Sequence, residues 1–184
     1  MKLKHITISL FVLVLTVFLK SCSTDDADTG NSVNYETEIL GNWTLVSHSG
    51  SYEVSQSGIS TKETGSDYNY SIEFTEEPQV INTSGSYTVN VAETTPQNET
   101  SSFSYVINSN QNQQEGVFIG TWSIEGGNLI TRVYDNEPNE EGSYTLTTDI
   151  VELTDNKLVL KTDESASSSA DYTVAGSTTL VFKR

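Results

Sequence analysis

Between Tyr68 and Phe74 every second residue is apolar, with Tyr68, Tyr70, Ile72 and Phe74 separated by Asn69, Ser71 and Glu73. A helix cannot gather such a set on one side, because its side chains repeat about every 3.6 residues, whereas a strand sends successive side chains to opposite faces. The alternation returns at Trp43 and Leu45 with Tyr52 and Val54, at Tyr87, Val89 and Val91, at Phe103, Tyr105 and Ile107, and at Leu180 and Phe182. No segment beyond Glu38 sustains a helical period. Only 35% of the 184 residues are hydrophobic, so a core can form only if each strand buries one face and leaves the other wet. That requirement describes an antiparallel sheet.

Two turns fix the pairing of their flanking strands. Gly126-Gly127 suits a two-residue hairpin loop that needs positive φ, which sets Ile124 opposite Leu129, Trp122 opposite Thr131 and Gly120 opposite Val133. Trp122, Ile124, Leu129 and Val133 then share one face, and Thr121, Ser123, Ile130, Arg132 and Tyr134 the other. Asp155-Asn156 similarly sets Leu153 opposite Leu158 and Val151 opposite Leu160, with Glu152 and Lys161 on the far face. Counted together, the runs give eight or nine strands joined in sequence, with polar loops near 55–66, 93–100, 109–116, 135–142 and 164–171. Closing so long a sheet on itself removes its exposed edges. The expected fold is therefore all-β, an antiparallel up-and-down barrel of about eight to nine strands, whose interior is either filled by side chains or holds one small ligand. Trp43 and Trp122 are expected to point inward and close one end as packing anchors. Any ligand is then expected at the opposite end.

The chain before the strands reads as address and tether. Met1 to His5 carries Lys2 and Lys4, and the run from Ile6 to Leu19 is broken only by Thr7, Ser9 and Thr16. Such a run spans roughly 21 Å as a helix, short of the roughly 30 Å of hydrocarbon that a membrane anchor must cross. It fits a secretory signal. Leu19-Lys20-Ser21-Cys22 resembles the lipobox of bacterial lipoproteins, and that resemblance implies cleavage before Cys22, acylation of its thiol and anchoring in a membrane. Cys22 is the single Cys of the chain, which excludes an intramolecular disulfide and a metal–thiolate cluster. Ser23 to Glu38 is polar and holds Asp25, Asp26, Asp28, Glu36 and Glu38 without a Lys or Arg. It reads as a disordered tether. Its acidic start resembles the export signal that sends lipoproteins of Bacteroidetes-type bacteria to the outer face of the outer membrane. The expected division is 1–21 signal peptide, 22–38 acylated Cys and tether, and 39–184 barrel.

Charge narrows the partners. Lys2, Lys4 and Lys20 lie in the leader, leaving six Lys and Arg against 25 Asp and Glu, a net of −19. Such a field repels phosphate backbones and anionic headgroups, so nucleic-acid binding is not expected and membrane attachment has to be covalent.

Raw material for catalysis is scarce. His48 is the only His after the leader; in phase with Thr44 and Val46, opposite Trp43 and Leu45, it reads as a surface residue. No second His and no thiol beyond Cys22 stands ready to build a nucleophile–base pair or a metal site. The 135–142 loop, Asp135-Asn136-Glu137-Pro138-Asn139-Glu140-Glu141-Gly142, offers oxygen ligands but lacks the sixth-position Gly and twelfth-position Glu of an EF-hand, and reads as solvated. The expectation is a non-enzyme with no cofactor and no metal.

The order of Leu40-Gly41-Asn42-Trp43, Gly120-Thr121-Trp122 with its Gly-Gly turn, the hairpin from Ile150 to Leu160 and the final Leu180-Val181-Phe182-Lys183 resembles the lipocalin-like domain of bacterial lipoproteins. The resemblance covers nearly all of 40–184. It implies a lipid-anchored binding protein of the cell envelope, with a small apolar ligand or a surface glycan as its target. Tyr68, Tyr70, Phe74, Tyr87, Phe103 and Tyr105 are the candidate ligand-binding residues of the barrel interior. The alternative is a filled barrel that serves as a structural or protein-interaction module.

Overall fold

The computed structural model describes residues 34–109, 120–135, 142–169 and 171–184. They form one antiparallel sheet of nine strands that closes in a ring. The strands are β1 (Gly41–Val54), β2 (Ile59–Phe74), β3 (Val80–Thr94), β4 (Thr100–Asn108), β5 (Gly120–Glu125), β6 (Asn128–Asp135), β7 (Gly142–Thr154), β8 (Lys157–Asp163) and β9 (Val174–Lys183). Helical turn α1 (Tyr35–Glu38) precedes β1, and a 3-10 turn (Glu164–Ser167) follows β8.

Each strand pairs with the next in sequence, and β9 returns to β1, so the barrel is a meander. One column departs from that rule. β4 pairs with the Ser86–Thr94 part of β3 while β5 pairs with Val80 and Ile81 at its start. β4 and β5 therefore descend along the same edge of β3, filling one column in two pieces. Below, β5 is bonded to β6 and the wall is continuous. Above, among the described residues, β4 is bonded to β3 alone and β6 to β5 and β7 alone.

The lower end is solid. Trp43 is fully buried and Trp122 nearly so, at 0% and 4% exposed; both lie in one apolar cluster with Leu45, Phe74, Leu158 and Phe182. Phe74 meets the Trp122 ring edge-on at 5.5 Å between centroids. Neither indole N–H is stranded, since Trp43 Nε1 donates to the Ile39 carbonyl at 2.7 Å and Trp122 Nε1 to the Thr75 carbonyl at 3.1 Å. Arg184 lies 4.1 Å from the Trp43 ring centre and donates to the carbonyls of Glu38 and Leu40. This seal draws in the last residues of the expected tether: Tyr35–Glu38 form α1, Tyr35 packs on the core and Ile39 is wholly buried.

The Gly126-Gly127 register holds as expected, with Trp122 opposite Thr131 and Ile124 opposite Leu129, and the two glycines at φ 60° and 85°. The Asp155-Asn156 register holds only next to the turn. Leu153 faces Leu158, but a bulge then intervenes and Leu160 lies opposite Ile150, not Val151. Val151 is pushed outward to 59% exposure and Ile150 takes the inner position. The polar loop expected at 55–66 is also corrected. β1 runs to Val54 and β2 begins at Ile59, because Thr61 and Glu63 alternate with Lys62 and Thr64 as an inward-facing polar set. The loops expected at 109–116 and 135–142 fall almost wholly outside the described residues.

Candidate functional site

Bulges carry the chain from an apolar lower half to a polar upper half. In β1 the pairing with β9 shifts between Leu45 and Ser47, so that one extra residue, Val46, is turned outward. Below the shift Trp43 and Leu45 face in; above it His48, Gly50, Tyr52 and Val54 do. In β2 a matching shift between Ser66 and Asn69, with Asp67 at φ 52°, separates inward Thr61 and Glu63 from inward Tyr68, Tyr70, Ile72 and Phe74. His48 is therefore not the surface residue that an uninterrupted strand would make it. It is 6% exposed and points into the barrel.

There it joins a polar network. His48 Nε2 is 3.1 Å from Glu63 Oε2, and His48 Nδ1 is 3.2 Å from the Tyr87 hydroxyl. The Tyr52 hydroxyl donates to Glu63 Oε1 at 3.0 Å, and the His48 amide donates to the Tyr68 hydroxyl at 2.9 Å. The bonds to His48 and Tyr52 hold the Glu63 carboxyl below its usual range, against an opposing effect of burial. An ionised carboxylate only accepts, so His48 Nε2 carries a proton; in the neutral ring Nδ1 then accepts from Tyr87. Burial drives the Tyr87 phenol far above its ordinary value, with Tyr70, Tyr105 and Glu63 adding to the effect. Tyr52 is raised likewise, by burial and then by Glu63. Tyr70 is pushed up to about 12 by burial. These phenols are neutral hydrogen-bonding groups and not nucleophiles.

The register places the rest of the upper mouth. Directly opposed residues share a face in antiparallel pairing. Gly50 opposes Glu63, Glu63 opposes Val91, and Val91 opposes Phe103, so these four form one inward rung across β1 to β4. Tyr52, Thr61, Glu93 and Ser101 form the rung above, and Gly65, Val89 and Tyr105 the rung below. Val89 and Val91 are buried, whereas Phe103 and Tyr105 on the same inner face are 51% and 41% exposed. Among the described residues β4 has no strand bonded on its far side. The Tyr105 phenol is raised to about 12, first by its partial burial and then by the charges of Glu63 and Glu164. The 3-10 turn thus brings a further carboxylate within electrostatic reach of the mouth.

The six aromatic residues expected in the interior divide into two groups. Tyr70, Phe74 and Tyr87 are buried and fill space, with Tyr70 and Tyr87 edge-on at 5.3 Å. Tyr68, half-buried and stacked on Tyr87 at 6.2 Å, with Phe103 and Tyr105, reaches the mouth. Sequence reasoning missed His48, Glu63 and Tyr52 as members of the site. Cys22 lies outside the described residues. Among the described residues no cluster of His, Cys, Asp and Glu could hold a metal ion, and no helix is long and apolar enough to cross a membrane. A separate groove of about 360 Å³ runs along the outer wall near the floor, lined by Pro78, Gln79, Trp122, Ile130 and Arg132 among others. Comparison with known proteins finds no matching family model, no matching curated protein and no matching solved structure.

Proposed function

We propose that this chain is a lipid-anchored lipoprotein of the cell envelope, held at the outer face of the outer membrane through acylated Cys22, whose lipocalin-like barrel binds a small ring-bearing molecule at its upper mouth. The observation that carries the binding reading is the pair Phe103 and Tyr105, inward by register and half open to solvent. Aromatic faces left accessible beside satisfied polar groups suit a flat apolar ligand or a sugar ring. The reading is non-catalytic: neutral phenols and a carboxylate already engaged by two partners orient a ligand without supplying a nucleophile. The alternative, a filled barrel that contacts a protein partner, draws its support from Tyr70, Phe74 and Tyr87, which occupy the interior below the mouth.

A thermal-shift and native mass spectrometry panel of flat aromatics, fatty acids and oligosaccharides separates the two. Binding that Phe103→Ala and Tyr105→Ala abolish supports the mouth; a panel in which nothing binds leaves the filled module. Anchoring is tested independently by metabolic labelling with an alkyne fatty acid. The wild-type chain is expected to label and to stay with the membrane, and Cys22→Ser to do neither.

A further inference from the structure

The mouth has a sign as well as a shape. Among the described residues no Lys or Arg faces the upper interior. Lys62, Lys161 and Arg132 are exposed, each following a buried residue, Thr61, Leu160 and Thr131, on its strand, and so lie on the outer wall. Lys157 is paired with Glu152 at 2.6 Å beside the β7–β8 turn. Lys183 is exposed beside buried Phe182, and Arg184 lies against Trp43 at the floor. Acidic groups, in contrast, face inward: Glu63 and Glu93 sit on successive inward rungs of β2 and β3. Glu63 is ionised and its carboxylate side chain remains 11% exposed. Glu93 receives only a long bond, 3.5 Å, from the Ser101 hydroxyl.

Val91 stands between Glu63 and Phe103 on the shared rung. Strands are spaced by about 4.8 Å, so the columns carrying Glu63 and Phe103 stand about 10 Å apart, with the short Val91 and Val89 side chains as the base between them. Glu63 therefore lines one side of a shallow trough and aromatic faces the other, while Glu93, two residues beyond Val91 on β3, stands at its upper end. Gly50 keeps the ground beside Glu63 low: a Cβ there would come within 3.2 Å of Glu63 Oε2. A carboxylate attracts a cation by charge and an aromatic face by its quadrupole, and both effects strengthen with partial desolvation. A carboxylate ligand would meet Glu63, Glu93 and the field of the −19 carried by residues 21–184, with no described Lys or Arg of the upper interior to pair it.

Resting on the reading of the mouth as a ligand site, we infer that its ligand carries a positively charged alkylammonium or quaternary ammonium group, seated over Val91 between Glu63 on one side and Phe103 and Tyr105 on the other, with Glu93 at the upper end. His48 and Tyr52 of β1 are positioning residues that fix the Glu63 carboxylate beside the trough.

Isothermal titration of the barrel with choline, with its uncharged carbon isostere dimethylbutanol, and with dimethylbutyrate tests the charge. Choline is expected to bind about tenfold or more tightly than the isostere, and the anion not at all. Glu93→Gln, on the rim, and Glu63→Gln, which keeps one acceptor oxygen where the carboxylate offered two, to Tyr52 and to His48, are each expected to weaken choline about three- to tenfold while leaving the isostere unchanged. Lys62→Gln, on the outer wall, is expected to change neither by more than about twofold. Glu93→Gln carries the test if Glu63→Gln folds poorly. Equal binding of choline and isostere, both lost in Phe103→Ala, overturns the cation inference and leaves the mouth intact. Choline binding that survives Phe103→Ala and Tyr105→Ala unchanged overturns the mouth itself, and no binding of choline overturns the cation inference.

Discussion

At the scale of single residues, burying His48 and Glu63 side by side is the costliest choice in the barrel. A pair so placed is tolerable only when each polar atom finds a partner, and both imidazole nitrogens and both carboxylate oxygens have one. Because the folded carboxyl of Glu63 lies below its ordinary value of 4.5, its contribution to stability is present above that value and is lost as pH falls through the lower folded value. Thermal melts recorded from neutral pH downward are therefore expected to show an acid step below pH 4.5 in the wild type that Glu63→Gln lacks. Identical acid limbs in the two proteins would refute the assignment. The inward turn of His48 was partly legible. If Trp43 and Leu45 face the core at odd positions, and Tyr52 and Val54 at even ones, a one-residue slip has to lie between them, and any such slip before 48 brings His48 in. Alternation read outward from Trp43 alone misses it. Glu63 was hidden because a polar inward set, Thr61 and Glu63, carries no hydrophobic signal and resembles a loop.

At the scale of elements, bulges decide which side chains see the interior, and turns decide register. Val151 and Ile150 separate the two effects. A straight β7–β8 ladder from the Asp155-Asn156 turn would bury Val151, whereas the bulge buries Ile150 and leaves Val151 exposed. Val151→Lys is expected to change stability by less than about 0.5 kcal/mol, and Ile150→Lys to cost several, on the order of 3 kcal/mol or more, in chemical denaturation. The reverse order would mean that the ladder runs straight. The Gly-Gly turn makes a backbone prediction free of packing. Gly126 has φ 60° and nothing within 4 Å of an added Cβ, so Gly126→Val pays only for its left-handed conformation, about 1–2 kcal/mol, while Gly126→Asn loses a few tenths at most. Turn residues and the clearest alternating runs made most strand identities readable. The shared column of β4 and β5 was not, because it depends on how a single edge of β3 is divided, and no local pattern in either strand records that. The exposure of Phe103 and Tyr105 was equally invisible in the alternation, which places both on an inward face and carries no record of how far each is covered.

For the whole molecule the two ends of the barrel answer to different forces. The floor is held by apolar burial and by Arg184, whose guanidinium covers Trp43 and ties the chain's last residue to the carbonyls of Glu38 and Leu40. The remainder of the wall carries an acidic excess that few ion pairs relieve. Among the described residues the Lys or Arg paired with a carboxylate within 4.0 Å is Lys157, on Glu152, against a net of −19 over residues 21–184. Self-repulsion of that size opposes compaction and is screened by salt, since the screening length shortens from about 30 Å at 0.01 M to about 10 Å at 0.1 M. The barrel is therefore expected to melt about 2–5 °C higher at about 0.1 M NaCl than at about 0.01 M, a gain on the order of 1 kcal/mol for a domain of this size. Arg184→Ala separates the two contributions. Loss of its cover over Trp43 and of its carbonyl contacts is expected to lower the unfolding free energy by about 1–2 kcal/mol. That deficit should persist at about 0.5 M NaCl, because the contact is short-range, made of carbonyl hydrogen bonds and a guanidinium against the Trp43 ring, while the general rise with salt is retained. A deficit that vanishes in high salt would show that Arg184 acts as one more diffuse positive charge, and that the floor stands on its apolar packing alone.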